Sequence, residues 1–286
     1  MDVLSDAVTA MRTGRPVAAA QSWAAPWGQR FAAVPGAVGL QVVVRGECWL
    51  IPDGDPIRLR AGDVVLLTDG RGHALADNPR TPLQPCKMPT NREISDLGGE
   101  TLVLCAAYEL TNLRTHPLLR TVPDLIHLRG SRAVRTLIDL LAAELETGGD
   151  PASIGVTALV DLLFLHTLRA WFAEHGEPDA LTDPAVRAAL DAIHAGPERP
   201  WTVAALAQLA GLSRAPFARR FAELTGQPPL AYVTWWRLTL AARLLRESDA
   251  PLRAVARRVG YASEFAFAAA FKRRFGTAPG RYRGAV

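Results

Sequence analysis

The sequence predicts an α+β chain: an amino-terminal β-barrel followed by an all-α carboxy-terminal domain. Three observations carry this. Between residues 20 and 110, short apolar runs alternate with turn signals. From residue 131 onward, apolar residues recur at helical spacing instead. The last hundred or so residues then carry one helix-turn-helix pattern twice, about fifty positions apart.

The strands come first. Gln41-Val42-Val43-Val44, Cys48-Trp49-Leu50-Ile51, Ile57-Arg58-Leu59, Val64-Val65-Leu66-Leu67 and Leu102-Val103-Leu104 are short apolar or alternating runs. Asp53-Gly54 supplies a hairpin turn between two of them. Many short strands at this spacing predict a small barrel or sandwich. Residues 78–99, rich in proline and polar side chains, predict a loop. Helices follow at 133–146 and 154–173. Leu137, Leu140 and Leu141 predict one apolar stripe, Leu159, Leu162 and Leu163 another. Leu165, Leu168 and Phe172 add a second apolar face, so this helix is expected to be covered on more than one side. A polar linker, 177–185, leads to the last domain, giving a division of 1–130, 131–176, 177–185 and 186–286.

In that last domain Asp183-Pro184 caps and opens a helix running to about His194. Thr202 caps the next, with Leu206 and Leu209 expected inside. Gly211 turns the chain, Ser213 caps the following helix, and Pro216 falls in its first turn, where no N–H is needed. Phe217, Phe221 and Leu224 form its core stripe, leaving Arg214, Ala215 and Arg219 outward. Eighteen residues, 230–247, then form a rod of about 27 Å, close to the roughly 34 Å between major grooves on one face of DNA. The second copy repeats Val255-Ala256, Val259-Gly260-Tyr261, Phe267 and Phe271. Its offset from the first is 49 before the turn and 50 after, one residue having been gained in the turn.

Charge follows the same division. Residues 186–286 hold 16 Lys+Arg against 6 Asp+Glu, a net of +10, while 1–185 hold 16 against 22, a net of −6. A basic module joined to an acidic one is the pattern of a polyanion binder with a separate regulatory part. No run approaches the roughly 18 apolar residues of a membrane span, and residues 1–15 lack the pattern of a secretion signal. Cys48, Cys86 and Cys105 are too few for a disulfide framework. The expected setting is cytoplasmic, with no membrane.

The segment from Val255-Ala256 through Gly260-Tyr261, Phe267, Ala270-Phe271-Lys272-Arg273-Arg274-Phe275-Gly276, Pro279 and Tyr282-Arg283 resembles the DNA-binding domain of the AraC/XylS family. The resemblance covers about a third of the chain. It implies a transcription regulator that binds double-stranded promoter DNA through two recognition helices in adjacent major grooves. Carried onto this chain, the base-facing positions are Arg214, Ala215, Ala218 and Arg219, then Glu264, Phe265, Ala268 and Ala269, with Lys272 and Arg273 also outward. Ala269 stands where the family often has a polar or basic residue, and Ala268-Ala269-Ala270 has no side-chain donor, so the first unit is expected to read more sequence, with Arg219 suited to guanine. Phe265 either touches a thymine methyl or packs at the helix start.

Gly46-Glu47-Cys48-Trp49, Ala61-Gly62-Asp63-Val64-Val65-Leu66-Leu67 and Gly72-His73 resemble the cupin-type sensor of one branch of that family. Cupins often hold a metal through several histidines. Here Gln41 stands where the resemblance implies a ligand histidine, leaving His73 alone, so neither metal nor cofactor is expected and no catalytic residue is assigned. A cupin-type metalloenzyme with an accessory nucleic-acid domain is the alternative, and an architectural DNA binder a third reading. Two signals suit the barrel: a small effector lined by Gln41, Trp49 and His73, or redox sensing at Cys86, whose neighbour Lys87 is expected to favour the thiolate. Cys48 and Cys105 read as core thiols. Residues 131–176 pack on the barrel or pair two chains; the resemblance favours a homodimer, with RNA polymerase as a further partner.

Overall fold

Among the described residues, alternation and turn chemistry build ten strands, β1 Val17–Trp23, β2 Gly28–Phe31, β3 Ala37–Arg45, β4 Glu47–Ile51, β5 Ile57–Arg60, β6 Asp63–Leu67, β7 His73–Ala76, β8 Gln84–Pro85, β9 Thr101–Glu109 and β10 Leu125–Arg129. This computed structural model describes residues 4–6, 8, 17–86, 99–109, 119, 122–146 and 153–284. The strands form two five-stranded sheets, β1-β9-β3-β6-β10 and β5-β4-β7-β2-β8. The five runs expected to be strands are all strands, and the Asp53-Gly54 turn joins β4 to β5, which pair antiparallel.

The inner faces of the sheets share one core. Val43, Val65, Leu67, Val103 and Cys105 of the first meet Phe31, Cys48, Leu50, Leu59 and Leu75 of the second. The first sheet is covered on its other side too. Helix α1 (Arg132–Glu146) touches β3, and α2 (Ile154–His175) touches β6 and β10. That is why Leu40, Val42, Val64 and Leu66 are as buried as their inward neighbours, and why β6 reads as an unbroken apolar run.

The helices bury Leu141, Leu163, Leu168 and Phe172 as expected, but not the rest of the expected stripes. On α1 the inward set is Val134, Ile138, Leu141 and Leu145, and Leu140 is exposed. On α2 it is Val156, Val160, Leu163, Phe164, Thr167, Leu168 and Phe172, with Leu162 exposed. Leucine spacing is ambiguous on a helix this apolar, and burial against the sheet chose the face. Contrary to expectation, α2 is long and apolar enough to cross a membrane by length and composition, while seven of its residues are buried.

The carboxy-terminal helices are α3 Asp179–Thr182, α4 Pro184–Ala195, α5 Val203–Leu209, α6 Arg214–Thr225, α7 Pro229–Glu247, α8 Leu252–Arg258, α9 Glu264–Phe275 and α10 Pro279–Arg283. The segment expected as linker thus contains α3. Asp183 accepts hydrogen bonds from the Ala185 and Val186 amides at the start of α4. Thr202 accepts from Ala205 N–H at the start of α5, whereas Ser213 caps α6 without a side-chain bond. Leu206 is buried, but Leu209 is 52% exposed, contrary to expectation, because α5 ends there.

Spatial proximity groups the described residues into two units: 17–86, 99–109, 122–146 and 153–176 in one, and 4–6, 8, 119 and 177–284 in the other. Residues 4–6 and 8 therefore belong with the helical unit, not with the barrel. Leu4 is buried, and Asp6 Oδ2 lies 3.7 Å from His194 Nδ1.

Candidate functional site

The two helix-turn-helix copies close with the same backbone bonds. In the first, Gly211 N–H donates to Gln208 O at 3.1 Å and Leu212 N–H to Ala207 O at 3.0 Å. In the second, Gly260 N–H donates to Arg257 O at 3.0 Å and Tyr261 N–H to Ala256 O at 2.9 Å. Both glycines have positive φ, +66° and +82°, which the tight turn requires. Helices α5 and α8 are offset by 49 and α6 and α9 by 50, as the sequence pattern has it. Gly226 and Gly276 then end α6 and α9 in left-handed caps, and Pro229 and Pro279 start the next helix.

Each recognition helix is held by an aromatic core. Phe217 and Phe221 are fully buried on α6, and Phe221 meets Tyr232 of α7 edge-on at 5.7 Å. Phe267 and Phe271 are equally buried on α9, and Phe271 packs on Tyr282 at 5.2 Å. Helix α7 contributes Tyr232 and Trp236 to the first core and Leu238, Ala241 and Leu245 to the second. It is a shared spine of 19 residues, about 28 Å long.

The opposite faces carry the predicted base readers. Arg214, Ala215, Arg219, Glu264, Phe265, Ala269, Lys272 and Arg273 are exposed, and Ala218 and Ala268 half-buried between them. Arg219 is 76% exposed, with only a 3.9 Å approach to Glu223. Phe265 is 89% exposed, so it does not pack at the helix start. Sequence reasoning missed the arginines that serve the fold. Arg220 binds Asp183, Arg237 donates to the Pro197 and Arg199 carbonyls at 2.7 Å each, and Arg283 donates to Leu245 O and Ala250 O. Arginine type and net charge alone do not separate these from outward-facing ones.

The sheets enclose a cavity of about 220 Å³ in the other unit. Gln41 on β3 and His73 on β7 meet there, the Gln41 amide nitrogen 3.0 Å from His73 Nε2. Phe31 stacks flat on the His73 ring at 4.7 Å. Burial lowers the His73 pKa to about 4, so the imidazole is neutral near neutral pH; a hydrogen bond to the Arg71 backbone opposes this in part. Trp49, expected beside them, does not line the cavity. It lies on the face of β4 opposite Cys48 and Leu50, which point into the core. Cys86 and Cys105 do line it.

The thiols are not activated. Burial pushes Cys48 up to about 12 and raises Cys105 and Cys86, Cys86 being half-buried with Sγ 3.8 Å from Gln21 Oε1. This is the reverse of the direction expected from Lys87, which lies outside the described residues. Among the described residues, no group of three or more His, Cys, Asp or Glu is placed to hold a metal ion.

Comparison with known proteins agrees with both halves. Residues 2–173 match the family model described as Cupin, and residues 206–285 that described as Helix-turn-helix domain. A Streptomyces lividans protein carrying the name AraC-like transcription regulator is 37% identical over 99% of this chain and 98% of its own length. The HTH-type transcriptional regulator AlkR of Acinetobacter baylyi is 31% identical, covering 85% of this chain and 86% of its own. The crystal structure of the AdpA DNA-binding domain with a target DNA is 38% identical over 36% of this chain and 92% of that one, with a TM-score of 0.34. These relatives are named as regulators, which sets the cupin metalloenzyme reading aside. The chain belongs to the AraC-like transcription regulators, with a cupin amino-terminal domain and a DNA-binding helix-turn-helix domain.

Proposed function

We propose that the protein reads promoter DNA through Arg214, Ala215, Ala218 and Arg219 on α6 and Glu264, Phe265, Ala268, Ala269, Lys272 and Arg273 on α9. One observation carries this reading: none of these ten side chains is buried, while the phenylalanines on the opposite faces are. The first unit reads more sequence, because α9 offers Ala268 and Ala269 where a side-chain donor would be needed. Phe265, unpacked against the protein, is suited to a thymine methyl.

The remaining assignment is regulatory and cytoplasmic. The barrel, built from β1 to β10, senses a signal; residues 131–176 pair two copies; and promoter occupancy shifts with the population of DNA-competent dimers. The exposure of Leu140, Ile154 and Leu162 supports the pairing. RNA polymerase is the partner that an activating outcome requires. A small effector is the favoured signal, since the raised Cys86 thiol is poorly suited to rapid oxidation.

Footprinting of the full-length protein on its own upstream region, at fixed salt and with and without mild oxidant, tests the reading. A protected site spanning two adjacent major grooves is expected, unchanged by oxidant. Oxidant dependence that vanishes in Cys86→Ser makes the sensor a redox sensor, and the absence of any specific footprint overturns the assignment.

A further inference from the structure

We infer that the groove between α7 and α9 seats the DNA backbone where it crosses from one major groove to the next, with Arg273 and Arg274 holding its phosphates. This rests on α6 and α9 entering adjacent major grooves, and places a third contact region between them.

The groove, about 520 Å³, runs from Gln227, just after α6, along one face of α7 to the Arg273 and Arg274 side of α9. Its walls follow from helical spacing. Ala231, Thr234, Trp235 and Leu238 share one face of α7, and positions 270, 273 and 274 share one face of α9. Trp235, Leu238 and Ala270 are buried and form the floor, while Ala231, Thr234 and both arginines are exposed around it. The exposed α7 side chains are small and uncharged, so a backbone can come close to the helix.

Charge names the occupant. Arg273 and Arg274 are the charged residues lining the groove, which gives it +2 with no carboxylate. Among the described residues no ion pair engages either of them. Other arginines of the same helices are taken: Arg220 by Asp183, Arg243 by Glu247, and Arg237 by the Pro197 and Arg199 carbonyls. Two open guanidiniums suit the oxygens of a phosphodiester.

Position makes that phosphodiester DNA. Arg273 comes four residues after Ala269 and eight after Phe265, so it stands at once on the outward face of α9 and on the rim of the groove. The groove is thus continuous with the surface that meets the bases. A duplex that meets both α6 and α9 carries its backbone over α7, the helix that joins them. Cations in the last turn of α9 also suit the carboxy-terminal end of its dipole, a role that involves no DNA.

Titration of the full-length protein with its footprinted site, carrying neutral methylphosphonate linkages midway between the half-sites, separates the two roles. The neutral linkages are expected to weaken the wild-type protein at least about fivefold. Arg274→Ala is expected to weaken natural DNA without changing base preference, and to reduce the salt slope by about one. Arg273→Ala combined with Arg274→Ala should reduce the slope by about two, and the neutral linkages should then cost less than about twofold, the contacts being already gone. Arginines that only steadied α9 would leave the linkages as costly as in the wild type. That result, or no cost in the wild type, overturns the inference. Thr234→Glu, at an exposed position, is expected to weaken all sequences at least about tenfold by setting a carboxylate in the groove, and unchanged affinity overturns the inference too. A two-groove footprint indifferent to the central linkages overturns this inference alone, whereas the absence of any specific footprint overturns the two-groove reading with it.

Discussion

Phe265 and Phe267 are two residues apart on α9 and lie on opposite sides of it, the first 89% exposed and the second fully buried against Tyr261 and Phe271. Successive odd positions on a helix are about 200° apart, so one aromatic is core and the other is free for DNA. Phe267→Ala is expected to lower stability by about 3–5 kcal/mol in thermal or denaturant unfolding. Phe265→Ala is expected to change stability by less than about 0.5 kcal/mol and to lower affinity by about 1 kcal/mol, roughly fivefold, on thymine-bearing sites.

Arg219 and Lys272 are both exposed but are expected to act differently. Arg219→Ala removes a bidentate donor, weakening binding to the preferred site by about 1–3 kcal/mol and relaxing base preference at one position. Lys272→Ala weakens all sequences alike and reduces the salt slope by about one. Binding-site selection and salt titration separate the two. Strong base preference confined to the second half-site would count against the proposed division of labour.

The two turn glycines are equivalent in sequence but not in surroundings. A Cβ at Gly211 meets nothing within 4 Å, whereas at Gly260 it falls 2.8 Å from the Arg237 guanidinium and from the Glu198 backbone. Gly211→Ala carries only the left-handed strain of about 1–2 kcal/mol. Gly260→Ala adds displacement of Arg237 from the Pro197 and Arg199 carbonyls, and is expected to cost at least about 1 kcal/mol more in unfolding experiments.

Acid is expected to destabilise both units. Burial lowers His73 and His194 below the ordinary value of 6.5, so the unfolded chain binds more protons than the folded one as pH falls through 6.5. Their stabilising contribution is present above that pH. For His73 it declines toward pH 4 by a total of about 3 kcal/mol. Unfolding followed from pH 7 to pH 4 should show this loss, and His73→Gln should flatten the part belonging to the barrel.

Much of this was legible because it is local. The capping of α4 and α5, the glycine turns and the matched offsets of 49 and 50 depend on residues within a few positions of one another. The exposed recognition faces follow from helical period once Phe217, Phe221, Phe267 and Phe271 are taken as core. Strands β1, β2, β7, β8 and β10 were not anticipated: they are short, or carry alanine and polar residues that only pairing makes strands. On α1 and α2 the inward residues were only partly legible, Leu140 and Leu162 being exposed, because leucines occur on both sides of each helix.

The sequence by itself determined the repeat, the basic character of the last domain and the two units that turn on Gly211 and Gly260, since all of these are encoded by spacing and residue type. Only the tertiary structure decided that Gln41 meets His73 while Trp49 stands apart, and that Arg237 and Arg283 tie backbone carbonyls. It also decided that Cys86 is shielded. The physical reason is distance along the chain. Strands 32 residues apart are brought together by apolar burial that is indifferent to their polar side chains, so a pocket's chemistry exists only once the sheets have closed.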